Sequence, residues 1–279
     1  MNPFELSIMI VSHGHEKELR ECVNSLPAAC QGLRTEILLL DNLGRSLQGM
    51  FGNSGTGTLA PGTSDLGHLR IHNNPRPLGF AANVNILASQ AQGRFLLVLN
   101  PDTQHFSGDI ASAIKTLIHN PIAAIVGSKL VNPDLTFQPS YRRFPTVPVL
   151  VCRAAGVDRW KARPRFYRYR VMDGEQLVKP TPVDWVFGAF MLVERSRFRE
   201  LGGMDAKFRM YYEDVDLCYR FRQRGAVTIY DPSVTFIHRH ARDSASQPFS
   251  HIRRWHLQSG IRYFAKHRYF FRPPAHLGC

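Results

Sequence analysis

Short, mostly apolar runs, each followed by a stripe of helical period, fill the first 120 residues, and few folds accept that pattern. Leu6 to Val11 has strand length. Leu19, Cys22, Val23 and Leu26 follow at i, i+3, i+4 and i+7, one face of a helix. Glu36 to Leu40 is the next run and ends at Asp41; Leu69 to His72 is a shorter one. Phe80, Val84, Leu87, Ala88 and Ala91 form a second helical stripe, and Phe95 to Leu99 a buried strand ending in Asn100-Pro101-Asp102. Ile110, Ala113, Ile114, Leu117 and Ile118 give a third helix. Alternating units of this kind predict an α/β fold, a mostly parallel twisted sheet flanked by helices. Such sheets bind ligands beyond the carboxyl ends of their strands, where Ser12, Asp41 and Asp102 stand.

The rest of the chain is less regular. Residues 44–67 are rich in Gly, Ser and Thr and read as a loop. Residues 139–182 are rich in Pro, Arg and aromatics. Regular structure resumes at Asp184 to Glu194, and a helix beginning near Asp214 stops at Gly225, a residue type suited to ending helices. Two strands are expected, near Val227–Tyr230 and Val234–Ile237, and residues 241–279 form a basic aromatic tail. The division expected is a catalytic domain over 1–240, with a nucleotide-binding part to about 105 and an acceptor part over about 106–240, and the tail packing on or extending it.

Lys and Arg number 35 against 22 Asp and Glu, a net charge of +13. That surplus favours anionic partners without choosing among nucleic acid, lipid headgroups and phosphorylated ligands. Five scattered cysteines without metal-like spacing suit a reducing compartment. No signal peptide and no bilayer-length apolar run is evident, so the expected location is cytoplasmic, peripheral on the inner face of a membrane.

Four groups of residues carry candidate chemistry. Asp41 could accept from the N–H of a pyrimidine base, or simply form an Asx turn. Asn100-Pro101-Asp102 offers oxygen donors suited to a hard cation, or is an ordinary turn. Glu213, Asp214 and Asp216 stand at a helix start, where acids commonly complement the helix dipole; the same dipole would keep Asp214 ionised as a general base. His238 follows a β-like run and either closes a metal site or is structural.

The order of these blocks resembles glycosyltransferase family 2 and its GT-A fold. Ser7-Ile-Met-Ile-Val-Ser12 resembles the opening strand, and Glu36-Ile-Leu-Leu-Leu-Asp41-Asn42 the base-binding strand. Asn74 with Leu78-Gly79-Phe80-Ala-Ala-Asn83 resembles the family's helix start, and Leu99-Asn100-Pro101-Asp102-Thr103 its form of the DxD motif. Trp185-Val-Phe-Gly188, Gly202-Gly203-Met204-Asp205 and Tyr212-Glu213-Asp214 follow in order, and His238, Arg242, Ser244 and Trp255-His256 resemble the tail of the rhamnosyltransferase branch. His13-Gly14 departs from the usual Tyr-Asn, and Asn100 replaces the first acid of a strict DxD.

The resemblance implies an inverting sugar transfer from a nucleotide sugar, dTDP-L-rhamnose or a UDP-sugar, to a saccharide acceptor, lipid-linked in surface polysaccharide synthesis. It implies a divalent metal, Mg²⁺ or Mn²⁺, on Asp102 and His238. Asp214 would be the base and Glu213 an orienting acid. Ser12, Asp41, Asn74, Gly79, Asn83, Asn100 and Arg242 would hold the donor. Two long basic aromatic stretches, 141–170 and 251–272, suggest an anionic membrane surface. A dehydrogenase would need G-x-G-x-x-G after the first strand, and residues 11–16 lack it. A nucleic-acid-binding protein would explain the charge, but acids at 102 and 213–216 would repel phosphate, so no nucleic-acid partner is expected. A catalytically inactive scaffold of the same fold is the remaining alternative.

Overall fold

The structure is a computed structural model, describing residues 3–44, 47, 50, 56–57, 68–172, 175–239, 251–271 and 273. Arg242, Ser244 and most of the 44–67 segment lie outside the described residues.

The apolar runs become strands β1 (Leu6–Ser12), β2 (Thr35–Asp41), β4 (His68–Asn73) and β5 (Phe95–Leu99). The stripes become helices α1 (Glu16–Ala29), α2 (Phe80–Gln90) and α3 (Ile110–His119). β5, β1, β2 and β4 run parallel side by side. Alternation along β1 sends Met9 and Val11 into one apolar layer and Ile8 and Ile10 into the other, so both faces of the sheet are covered. The register sets Ser12 opposite Asp41, and Asp41 opposite Asn73. The strands therefore finish flush, and their terminal polar residues form one row. Buried Glu36 ties the opposite end together: it accepts from Ser7 Oγ and Gln92 N, each at 2.6 Å, and pairs with Arg70.

The sheet continues through β12 (Phe190–Glu194), β7 (Ala123–Val131), β13 (Val227–His238) and β10 (Thr181–Val183), while β3 (Thr56–Gly57) closes the far edge beside β4. β12 enters antiparallel between β5 and β7. β6 (Thr103–Ser107) pairs with β13 and β8 (Phe137–Gln138) with β7. The two strands expected at 227–237 are one strand, its register shifting between Asp231 and Thr235. β7 gave no periodic signal because its sequence mixes Ala, Gly127 and Ser128 with the apolar residues. Gly127 is needed there: a Cβ would come within 2.6 Å of the Val186 side chain.

Val186 belongs to β11 (Trp185–Val186), which pairs with β9 (Tyr141–Arg142) in a separate ribbon. The basic aromatic stretch beyond it folds into α4 (Val147–Ala154), a 3-10 turn at Val157–Arg159 and α5 (Arg165–Val171) around Val149, Val157, Tyr167 and Val171. Further on come α6 (Arg195–Glu200) and α7 (Glu213–Gln223), whose end is followed by Gly225 at φ 79°.

The described part of the tail is α8 (His251–His267) and the residues after it. Tyr263, Phe264 and Tyr269 enter the main core. Polar contacts lock the helix to α7. Asp216, fully buried, accepts from Arg220 Nε at 2.7 Å, Lys266 Nζ at 2.6 Å and His267 Nε2 at 2.8 Å. Burial works to raise the Asp216 carboxyl, yet the His267 hydrogen bond and the Arg220 and Lys266 charges hold it below its usual value. Asp216→Asn strips the anion from Arg220 and Lys266 and weakens the His267 hydrogen bond, and should lower the unfolding free energy by about 3 kcal/mol. Urea denaturation followed by circular dichroism measures this, and an unchanged midpoint would mean that α8 adds nothing to the domain's stability.

Candidate active site

Antiparallel pairing of β6 with β13 sets His238 opposite Thr103. That brings the imidazole beside Asp102, with His238 Nε2 3.4 Å from Asp102 Oδ1. Arg239 N donates to the Asp102 carbonyl at 3.0 Å. The other ring nitrogen, Nδ1, lies 2.7 Å from Gln138 Oε1. Gln138 Nε2 donates to Asn132 Oδ1 at 2.9 Å and to the His238 carbonyl at 3.3 Å, so its Oε1 is left to accept from His238 Nδ1–H. Nε2 then faces the carboxylate, the arrangement of a metal-binding imidazole with an outer hydrogen-bond partner on its other nitrogen. Burial acts to raise the Asp102 carboxyl, but the hydrogen bond and charge of His238 outweigh it and hold the group below its usual value. Among the described residues no group of three or more His, Cys, Asp or Glu is placed to hold a metal. One carboxylate and one imidazole suit a cation whose other ligands are phosphate oxygens and water.

The row along the strand ends is joined by amides. Asp41 Oδ1 accepts from Leu43 N at 3.0 Å, the Asx turn that its sequence allowed. Asn74 Nδ2 donates to Asn42 Oδ1 at 2.9 Å and to Asn83 Oδ1 at 2.8 Å. Asn42 Nδ2 reaches the Leu78 carbonyl and His13 Nδ1, both at 3.0 Å. Asn74 and Asn83 are thus buried members of a network that shapes the loop, with Asn42 as its hub, while Ser12 is buried at the end of β1. Gly79 has its own packing reason. Phe80 N donates to the Arg209 carbonyl at 3.1 Å, and a Cβ at position 79 would lie 2.8 Å from that oxygen. Exposed His13 stands beside Asn42 and Asp41, where Tyr-Asn was expected.

Asp214 reaches the same mouth from α7. Asn100 N donates to the Ala189 carbonyl at 3.1 Å, joining the end of β5 to the approach to β12. Gly188 N, one residue earlier, donates to Asp214 Oδ2 at 3.1 Å, and Val215 N donates to Oδ1 at 2.8 Å. Asp102 and Asp214 are therefore both carried at the β5–β12 junction. The helix dipole was expected to keep Asp214 acidic, but the opposite shift prevails: burial raises its carboxyl to about 6 against the pull of those two N–H groups. Burial, and then the charge of Asp214, drives neighbouring Glu213 well above its ordinary value. Glu213 Oε2 is buried without a hydrogen-bond partner among the described residues. Of the pair, Glu213 is the more strongly raised, so Asp214 is the first to ionise as pH climbs.

The match to the model of glycosyl transferase family 2 spans residues 7–201, and the chain belongs to that family. Rhamnosyltransferase WbbL of Escherichia coli K12 is 30% identical over 266 residues, covering 94% of this chain and 93% of its own. The N-acetylglucosaminyl-diphospho-decaprenol L-rhamnosyltransferase of Mycobacterium tuberculosis H37Rv is 31% identical over 182 residues, or 64% of this chain; the match spans 58% of that relative's length. Among solved structures, GalNAc-T7 with UDP, GalNAc and Mn²⁺ has a TM-score of 0.64 at 19% identity, covering 95% of this chain and 48% of its own. The Pyrobaculum calidifontis mannosyltransferase PcManGT with GDP-Man and Mn²⁺ has a TM-score of 0.59 at 14% identity, covering 97% and 66%. The fold is GT-A, and the chain is similar in sequence to rhamnosyltransferases.

Sequence reasoning did not single out Gln138 or Asn42 as supporting residues, since an isolated amide carries no periodic or motif signal. A carboxyl raised in the folded state favours the fold at acid pH. That contribution is lost as pH climbs from the unfolded range near roughly 4 through the folded values. Glu213→Gln removes the burden, so relative to the parent its Tm should gain about 2–4 °C between pH 5 and pH 8. Scanning fluorimetry at the two pH values reads this; a difference independent of pH would show that the Glu213 carboxyl is not raised.

Proposed function

We propose that the chain transfers a sugar from a nucleotide donor to a saccharide acceptor with inversion, in the assembly of bacterial surface polysaccharide. The observation that carries this reading is the convergence at the β5–β12 junction of the Asp102–His238 pair and the Gly188-held carboxylate of Asp214. L-rhamnose from dTDP-L-rhamnose is the donor we favour, on the names of the relatives, with a UDP-sugar the alternative. Asp214 takes the proton of an acceptor hydroxyl, a task suited to a carboxyl near 6. The hydroxyl oxygen then bonds to the anomeric carbon as the bond to the diphosphate breaks on the opposite face. Glu213 orients the acceptor side. A divalent cation, Mg²⁺ or Mn²⁺, held by Asp102 and His238 Nε2 with the donor's phosphates, would neutralise the leaving charge. The flush strand ends from Ser12 through Asp41 lie where the nucleoside would sit, and His13 supplies a ring beside them.

Asp214→Asn should lower kcat by about 10²–10⁴ while the donor KM stays near the parent's. Asp102→Ala should lose activity and donor affinity together. Transfer from radiolabelled dTDP-L-rhamnose, with UDP-sugars alongside and with EDTA, is the test. Saturation only by UDP-glucose or UDP-N-acetylglucosamine would overturn the donor, and full Asp102→Ala activity in EDTA would overturn the metal role.

The acceptor in this proposal is lipid-linked, and the chain docks on the anionic inner face of a membrane. Among the described residues no helix is long and apolar enough to cross one. α5 instead presents Phe166 and Tyr169 with Arg165 and Arg168, all exposed, and Arg143 stacks 4.1 Å over Tyr169. Phe270 and Phe271 are exposed nearby, since Val147 N at the start of α4 donates to the Phe270 carbonyl at 2.9 Å. Aromatic rings among guanidiniums fit a headgroup layer. Binding to vesicles containing phosphatidylglycerol should fall at least severalfold in Phe166→Ser/Tyr169→Ser and in high salt. Equal recovery with neutral and anionic vesicles at low salt would refute it.

A further inference from the structure

Beneath α4 and α5 lies a cavity of about 240 Å³ that none of the chemistry above uses. That is room for several waters. Arg142, Arg153 and Arg163 line it, with the carboxylates of Asp158 and exposed Glu175. Asp158 is already engaged, accepting from the Tyr167 hydroxyl, and its carbonyl accepts from Arg163 Nη2 at 2.8 Å. Arg153 also bonds the Tyr167 hydroxyl, so one buried phenol ties the two ends of the cluster. Guanidiniums facing one another across a cavity repel. Burial first, and the Arg153 charge next, lower the Arg142 guanidinium to about 10. An anion placed between them relieves both penalties.

Arg142 links the cavity to the residues that hold Asp214. Arg142 pairs with Trp185 across the β9–β11 ribbon, and its guanidinium lies 5.7 Å from the Phe187 ring centre. Phe187 directly precedes Gly188, whose N–H holds Asp214. The charge of Arg153 is felt at Tyr212 and His256, the first of which precedes Glu213. The donor's diphosphate is accounted for elsewhere, at Asp102 and His238. A second anion close to the base belongs to the second substrate. In a sugar-diphospho-lipid the charged group follows the sugar that offers the hydroxyl.

We propose that Arg142, Arg153 and Arg163 form the binding site for a diphosphate ester on the acceptor. This rests on the glycosyltransferase reading above and names the side chains that would select such an acceptor.

Two measurements on the full chain separate this inference from the reading beneath it. The first is calorimetric titration with inorganic pyrophosphate in EDTA. The parent should bind it without metal, and Arg153→Ala/Arg163→Ala should weaken binding about tenfold or more, the scale of one or two charge-assisted hydrogen bonds. The second compares a short-chain, water-soluble sugar-diphospho-prenol with the same sugar as a neutral alkyl glycoside. The parent's preference in kcat/KM for the diphosphate acceptor should shrink about tenfold or more in the double variant. It should do so through KM, with the donor KM near the parent's value. Arg153→Lys/Arg163→Lys, which keeps the charge, should recover part of the preference. Absence of pyrophosphate binding in the parent overturns the site even if transfer is observed. Equal losses on both acceptors overturn its assignment to the acceptor. An intact preference alongside lost binding to phosphatidylglycerol vesicles also overturns it, making these arginines headgroup contacts. A parent that binds pyrophosphate as expected but transfers no sugar refutes the enzymatic reading and, with it, the acceptor assignment.

Discussion

Two adjacent carboxyls at the start of α7, Glu213 buried and Asp214 half-buried, are the constraint around which the rest of the structure is organised. Neither a helix dipole nor two backbone N–H groups offset their desolvation, so Glu213 and Asp214 are held by force from outside. The force is applied through the turn before them. Tyr211 and Tyr212 both adopt left-handed backbone, at φ 67° and 66°, which costs bulky residues about 1–3 kcal/mol each. α8 offsets that strain. Ser259 Oγ donates to the Met210 carbonyl at 2.8 Å, and the Tyr212 ring packs on His256 and Tyr263. The tail helix is thus the clamp on the acid pair, and the Asp216 ion cluster is the clamp's fastening.

The Asp102–His238 pair is built with less strain. Sheet register alone brings His238 to Asp102, and Gln138 orients the ring. The contrast follows from charge. A carboxylate and an imidazole stabilise one another, whereas two adjacent carboxylates do not and need an outside support.

The cysteines illustrate how burial silences chemistry. Cys22, Cys30 and Cys218 have their thiols pushed up to about 12, chiefly by desolvation, and serve as small core residues. The same physics that makes Asp214 a better base makes these groups inert. What differs is position: Asp214 is half-buried, and these cysteines are buried.

The parallel half of the fold was legible in the sequence because its strands are buried on both faces and its helices on one, and each leaves its own period. The positions of Asp41, Asp102 and Asp214 at element ends followed from the same reading. β7 was not legible, since small residues chosen for contact with Val186 interrupt its apolar pattern. Nor were the helices of the basic aromatic stretch, whose small core of Val149, Val157, Tyr167 and Val171 is scattered among charges. The sequence by itself determined which residues are acids, imidazoles and strand ends. Only the tertiary structure decided that α8 supports the acid pair, that Gln138 stands behind His238, and that burial outweighs the helix dipole at Asp214. Those outcomes depend on desolvation and on partners distant along the chain, such as Gln138 and His238, and no local pattern encodes either.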